Sequence, residues 1–105
     1  MKAEEIDFKK GQGLIPVIIQ NAINKDVLML GYMNEEAFLM TQKSGWVHFW
    51  SRERKKLWMK GEESGNKLKV ERMYLDCDSD TLLIEAKLCG TSVCHSGNYS
   101  CFFDK

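Results

Sequence analysis

Residues 14–32 read LIPVIIQ, NAINK, DVLMLGY, and this stretch limits the fold more than any other. The first run is apolar and β-branched, which predicts a strand over 14–20. Residues 21–25 supply turn chemistry, and 26–32 read as the hairpin partner. Asn34 then stands where an N-cap belongs, with Glu35 and Glu36 in the first turn of a helix. Ala37, Phe38, Met40 and Thr41 follow at helical spacing, and Gly45 ends the helix.

Downstream, residues 46–51 (WVHFWS) are aromatic and strand-like, with Trp46, His48 and Trp50 on one face and Val47 and Phe49 on the other. Residues 52–56 form a charged connection, and 60–65 (KGEESG) a glycine-bounded loop. Residues 67–75 alternate as a strand with Leu68, Val70 and Met73 inward; 82–88 (LLIEAKL) predict another. Residues 90–103, rich in Gly, Ser, Cys and Asn, read as loop. The expected architecture is mainly β, an α+β arrangement with one clear helix. At 105 residues the chain suits a single domain spanning 1–105.

The four cysteines sit at 77, 89, 94 and 101, with no CxxC pair, so a zinc ribbon and a thioredoxin-like redox motif are both disfavoured. The first residues, MKAEE, are no signal peptide, and no apolar run approaches the roughly 18 residues that span a bilayer. A cytoplasmic setting is expected, where cysteines serve as ligands or nucleophiles more often than as disulfides. Lys plus Arg and Asp plus Glu are 15 each, so the net charge is zero, which disfavours a nucleic-acid coat or a membrane-surface binder.

Three constellations carry chemistry. Asp76, Asp78 and Asp80 alternate between two apolar runs. On a straight strand, same-face neighbours stand roughly 6.6 Å apart and could not share one ion. In a turn they can converge on a hard cation such as Mg²⁺. An EF-hand is excluded, because Thr81 and Lys87 stand where Gly and Glu belong; a solvated acidic turn is the plain alternative. Cys94 and Cys101 lie in a polar loop, unlike Cys89, which fits a structural cysteine ending an apolar run. With Cys77 they would give zinc three ligands and leave one position open, the pattern of a catalytic site. His95 is the candidate proton carrier, with His48 as the alternative. A nucleophilic Cys94 paired with His95 is disfavoured, since such pairs work through space, not sequence adjacency. Finally, Ser51, Arg52, Arg54, Lys60, Gly61, Ser64 and Gly65 are candidate phosphate contacts: arginines supply forked donors, and glycines let backbone N–H groups approach. A charged hairpin connection is the plain reading of the same segment.

Taken together, WSRERKKLWMKGEESG, DCDSDTLLIEA and CHSGNYSCF resemble the phosphoribosyl-AMP cyclohydrolase family, over nearly the whole chain. Ser96 stands where threonine is common there, and Val93 where a smaller residue is common. The resemblance implies a small mixed folded sheet or pseudo-barrel and an intertwined homodimer. It also implies zinc shared between subunits, by Cys77 of one with Cys94 and Cys101 of the other, and Mg²⁺ on Asp76, Asp78 and Asp80. The implied reaction is hydrolysis of the adenine N1–C6 bond of N1-(5-phosphoribosyl)-AMP in histidine biosynthesis, by a monofunctional enzyme. From another class, a structural zinc module binding nucleic acid or protein would instead require a closed four-ligand site including Cys89 or His95.

Overall fold

The computed structural model describes residues 1–104. Its strands are β1 (Ile15–Asn21), β2 (Val27–Met33), β3 (His48–Ser51), β4 (Lys56–Met59), β5 (Lys67–Leu75) and β6 (Leu82–Cys89), with one α-helix, α1 (Glu35–Ser44). Two single-turn 3-10 helices, Ala3–Glu5 and Lys9–Gly11, precede β1. A four-stranded sheet runs β2-β1-β6-β5, and β3 and β4 form a separate hairpin. The sheet is mixed: β1 pairs antiparallel with β2 but parallel with β6, and β5 pairs antiparallel with β6.

The mixed sheet with one helix is as expected; it stays open rather than closing into a barrel, with α1 and the β3–β4 hairpin on one face. The physical reason is that β2 and β5 do not pair with each other. The charged connection expected over 52–56 is a turn over 52–55, and Lys56 already starts a strand, unforeseen in the sequence, whose apolar residues, Leu57 and Trp58, pack against the core. The strand predicted over 46–51 begins at His48, and Trp46 makes only an isolated bridge to Lys69.

Alternation explains most of the core. In β1, Ile15, Val17 and Ile19 are buried, with half-buried residues between them. Opposite them on β6, Leu82, Ile84 and Ala86 face the same interior. Two bulges break the period and decide which side chains point inward. Between Val70 and Arg72 the register slips by one residue, so Leu68 and Val70 before it and Met73 and Leu75 after it all oppose inward residues of β6. A slip at Ile19/Gln20 leaves Leu28 as the extra residue of β2, and Leu28 and Met29 are consecutively buried.

α1 has the predicted ends. The Asn34 side chain accepts from the Ala37 N–H at 2.8 Å, and Gly45, at φ 80°, donates its N–H back to Thr41. Ala37, Phe38 and Thr41 are buried, whereas Met40 is exposed. Val47 and Phe49 are buried as their alternation requires. The Phe49 ring lies on the backbone of β2: a Cβ added to Gly31 would stand 2.6 Å from it. On its other side it meets Trp58, ring centroids 5.4 Å apart.

Gly31→Ala must therefore push the Phe49 ring out of its seat. Overpacking of this kind costs about 1–3 kcal/mol. A lower urea midpoint is expected, with Phe49→Leu in the same background recovering part of the loss.

Candidate functional site

The parallel pairing of β1 and β6 gives the sheet two distinct ends. At one end, the turn from β5 to β6 carries the acids. The Asp76 carboxylate accepts from the Asp80 and Thr81 N–H groups at 3.1 and 3.2 Å, and Ser79 takes a left-handed φ of 63° to close the turn. The turn is also tied to the N-terminal segment, where the Asp7 N–H donates to the Ser79 carbonyl at 2.7 Å. Folded this way, Asp76, Asp78 and Asp80 each present an oxygen within 4.8 Å of the others. Three convergent carboxylates suit a hard divalent cation in donor type and spacing. Lys10 approaches the same group, its ammonium 3.0 Å from Asp80 and 3.9 Å from Asp78. The hydrogen bond from Lys10 holds the Asp80 carboxyl below its ordinary range.

At the other end, the β3–β4 hairpin, the 60–66 loop and the tail enclose a cleft of about 660 Å³. Its lining includes Ser51, Arg54, Lys60, Gly61 and Ser64 from the sequence-predicted set, together with Cys94 and His95. Lys56, Trp58 and Asn66 line it as well and were missed in the sequence. Asn66 matters structurally. It accepts from the Thr91 N–H at 3.2 Å and donates to the Ser92 hydroxyl at 3.4 Å, so it ties the loop to the tail. Gly61, at φ +81°, lets the Asn66 backbone pass where a Cβ would stand 2.3 Å from its carbonyl oxygen. A Gly-Asn step closing a loop is the signal that could have marked it.

Two predicted contacts fall elsewhere. Arg52 does not line the cleft; its guanidinium lies over the Tyr32 ring, 3.9 Å from the centroid. Gly65 does not line it either, and its N–H donates to the Gly61 carbonyl at 2.8 Å. The Glu62 N–H is likewise used within the loop, on the Met59 carbonyl. The cationic side chains that line the cleft are Arg54, Lys56 and Lys60, and these, rather than the Glu62 and Gly65 N–H groups, are the donors it offers to an anion.

Cys94 and Cys101 are neighbours across the tail, since each thiol acts on the other's acidity. The Cys94 Sγ lies 3.0 Å from the Ser96 hydroxyl, and that hydrogen bond is the main cause of its lowered pKa. Burial, and then Cys94, push the Cys101 thiol up. Lys60 stands beside the pair, its ammonium on the Val93 carbonyl at 2.5 Å, with its own pKa lowered by burial. Two adjacent thiols next to a fixed cation suit a soft metal such as zinc in donor type. Cys77 is not with them. It lies in the acidic turn, its Sγ 3.7 Å from Asp78. The length of β6 separates it from Cys94 and Cys101, roughly 23 Å at the usual rise per residue. Within one chain, then, the acidic turn and the thiol pair do not share a neighbourhood. Among the described residues the three aspartates are the only metal-capable group of three.

The histidines differ in setting. His95 is exposed at the cleft. The Nδ1 of His48 donates to the Trp46 carbonyl at 2.8 Å, because a carbonyl can only accept; this leaves Nε2 as the acceptor of the neutral ring. His48 does not line the cleft. The fourth cysteine, Cys89, is half-buried with its Sγ 3.9 Å from the Lys87 carbonyl, away from any cluster.

Residues 29–103 match the family profile described as Phosphoribosyl-AMP cyclohydrolase. The phosphoribosyl-AMP cyclohydrolase of Archaeoglobus fulgidus is 54% identical over 99 residues, 94% of this chain and 90% of that protein. That of Clostridium botulinum is 51% identical over 100 residues, 95% of this chain and 90% of its own length. The histidine biosynthesis bifunctional protein HisIE of Haemophilus influenzae is 57% identical over 102 residues, 97% of this chain. The chain spans only 46% of that longer relative.

The thiol acidities give a direct check. In metal-free protein, Cys94 is expected to be alkylated by iodoacetamide at lower pH than Cys101. Ser96→Ala should raise the apparent pKa of Cys94 toward 9.0, its ordinary value, because the main hydrogen bond to the thiolate is lost. Peptide mapping of alkylation against pH reads both, and an unchanged Cys94 profile in the variant would contradict the assigned cause.

Proposed function

The chain belongs to the phosphoribosyl-AMP cyclohydrolase family, and from that premise we propose that it hydrolyses the adenine N1–C6 bond of N1-(5-phosphoribosyl)-AMP in histidine biosynthesis. The observation that carries this reading is the cleft: His95 and Cys94 line it together with Arg54, Lys56 and Lys60. Its volume of about 660 Å³ lies within the usual range for a small-molecule site. The product is the ring-opened formimino-carboxamide ribonucleotide. Water oxygen is added at C6, which keeps its exocyclic nitrogen as a carboxamide, and N1 departs with a proton.

Zinc on Cys77, Cys94 and Cys101, when bound, would act as a Lewis acid for the attacking water. The protein's own residues supply the rest. Arg54, Lys56 and Lys60 bind the phosphates, with the Ser51 and Ser64 hydroxyls within the same lining. His95 accepts a proton from water and returns one to the departing N1. His48 suits this less, being outside the lining and held by a backbone carbonyl. Asp76, Asp78 and Asp80 would hold Mg²⁺, and its charge would offset that of the substrate phosphates.

The placement of Cys77 supports a homodimer with shared sites. One chain cannot bring Cys77 to Cys94 and Cys101, whereas a two-fold axis across the sheet exchanges its ends and can bring one subunit's acidic turn to the other's cleft. The face opposite α1 also offers a surface for such a partner. Tyr74, Leu83, Ile18 and Leu30 are register neighbours across all four strands. Leu30 and Tyr74 are 44% and 43% exposed. No helix among the described residues is long and apolar enough to cross a membrane. We place the protein in the cytoplasm, where its four free cysteines stay reduced.

Two experiments test this reading. Purified protein should open phosphoribosyl-AMP, followed by absorbance, and lose activity to a zinc chelator; active protein without zinc overturns the metal assignment. Cys77→Ser and Cys101→Ser should each abolish activity as homodimers. Unfolded and refolded together, they should regain roughly a quarter of parental activity. Half the dimers are then mixed, and each mixed dimer has one intact site of two. Mixtures that stay inactive would rule out the shared site.

A further inference from the structure

Six residues separate Cys94 from Cys101, and none belongs to a helix or strand. A segment of that kind loses conformational freedom when two of its side chains must meet one ion, unless it is ordered beforehand. Part of the order is local. The Val93 N–H donates to the Tyr99 carbonyl and the Cys94 N–H to the Asn98 carbonyl, both at 3.1 Å, and the Gly97 N–H donates to the Cys94 carbonyl at 2.9 Å. These bonds fix Cys94 relative to Tyr99, but they do not fix the loop relative to the sheet.

The Tyr99 side chain makes that second connection. Its phenol oxygen accepts from the Asn21 amide at 2.8 Å and the Asn24 amide at 3.3 Å, and it donates to the Asp26 carboxylate at 3.1 Å. The same two asparagines brace the β1–β2 turn through their carbonyl oxygens. Asn21 accepts from the Ile23 N–H and Asn24 from the Asp26 N–H, each at 2.9 Å. The tail then runs onto β2 beside its bulge. The Ser100 hydroxyl lies 2.8 Å from the Val27 carbonyl, and the Cys101 N–H donates to the Leu28 carbonyl at 2.8 Å. A turn more than 70 residues earlier in the chain thus sets where both thiols stand.

We propose that Tyr99, clamped by Asn21, Asn24 and Asp26, is a positioning residue that holds Cys94 and Cys101 at the spacing zinc requires. This rests on the zinc reading above. The phenol contacts only the turn, so it acts on the metal through the loop and touches no reacting atom. Groups bonded directly to metal ligands typically change metal affinity by about 10–100-fold, and a residue acting one step further out belongs at the low end.

The test is zinc affinity of the purified full-length protein, measured by competition with a chromophoric chelator, beside the urea midpoint of the metal-free protein. Tyr99→Phe is expected to raise the zinc Kd about tenfold. It should also weaken the cobalt-thiolate charge-transfer band of Co²⁺-loaded protein. The clamp orders only the tail, which opens locally, so the metal-free midpoint should not move. Asp26→Ala, which removes the acceptor and leaves the tail sequence intact, should reproduce the loss. The double variant should lose little more than either single one. A Tyr99→Phe protein with Kd within about twofold of the parent overturns the proposal, and so does a parallel fall in midpoint and affinity, which would indicate a purely structural role. A parent protein that binds no zinc overturns the zinc reading and this inference together; a variant that binds as well as a zinc-binding parent overturns this inference alone.

Discussion

The parallel pairing of β1 with β6 orders the rest of the molecule. It joins the first strand to the last across everything between them, and it fills the centre of the sheet with Val17, Ile19, Leu82 and Ile84. Parallel neighbours also share their ends. The start of both strands faces the acidic turn, and their close faces the β1–β2 turn and the tail. Two sets of chemically distinctive residues, separated by few positions in sequence, are thereby sent to opposite poles. Cys77 and Cys94 are 17 residues apart in the chain, yet the intervening β6 carries the second away from the first.

Under the proposed zinc site, that separation would make the protein's chemistry a matter of assembly. A chain of this size buries only a modest core, and here it leaves one sheet face with an apolar row from Leu30 to Tyr74. In the proposed homodimer, one partner, a second copy, would both cover that row and complete the thiolate set, so that stability and catalysis would depend on one association.

The irregular positions carry as much of the site as the regular ones. The bulge in β2 turns Leu28 inward and presents its carbonyl to Cys101 and Ser100. The left-handed Ser79 closes the turn that gathers three aspartates, and left-handed Gly61 lets the cleft loop fold back on Asn66. Regular strands set the distances between these features, and the departures from regularity aim the side chains.

Much was legible from the sequence. The first hairpin, the capped helix and the strand over 67–75 follow from periodicity and from cap residues whose chemistry is local. The convergence of Asp76, Asp78 and Asp80 was legible in the same way, because a turn is decided within six residues. The motifs from Trp50 to Phe102 also indicated the family, since their residue types and spacing form a specific combination. Other features depend on contacts made across the chain, which local pattern does not encode. The parallel β1–β6 pairing, the second strand of the β3–β4 hairpin beneath a charged segment, and the bulge that adds Leu75 to the inward set belong to this group. So do Arg52 leaving the cleft for Tyr32, Asn66 joining loop to tail, and Tyr99 reaching back to Asn21. The sequence determined which donors the protein owns; the tertiary structure decided which of them can meet, because strand pairing and direction set which end of the sheet each one occupies.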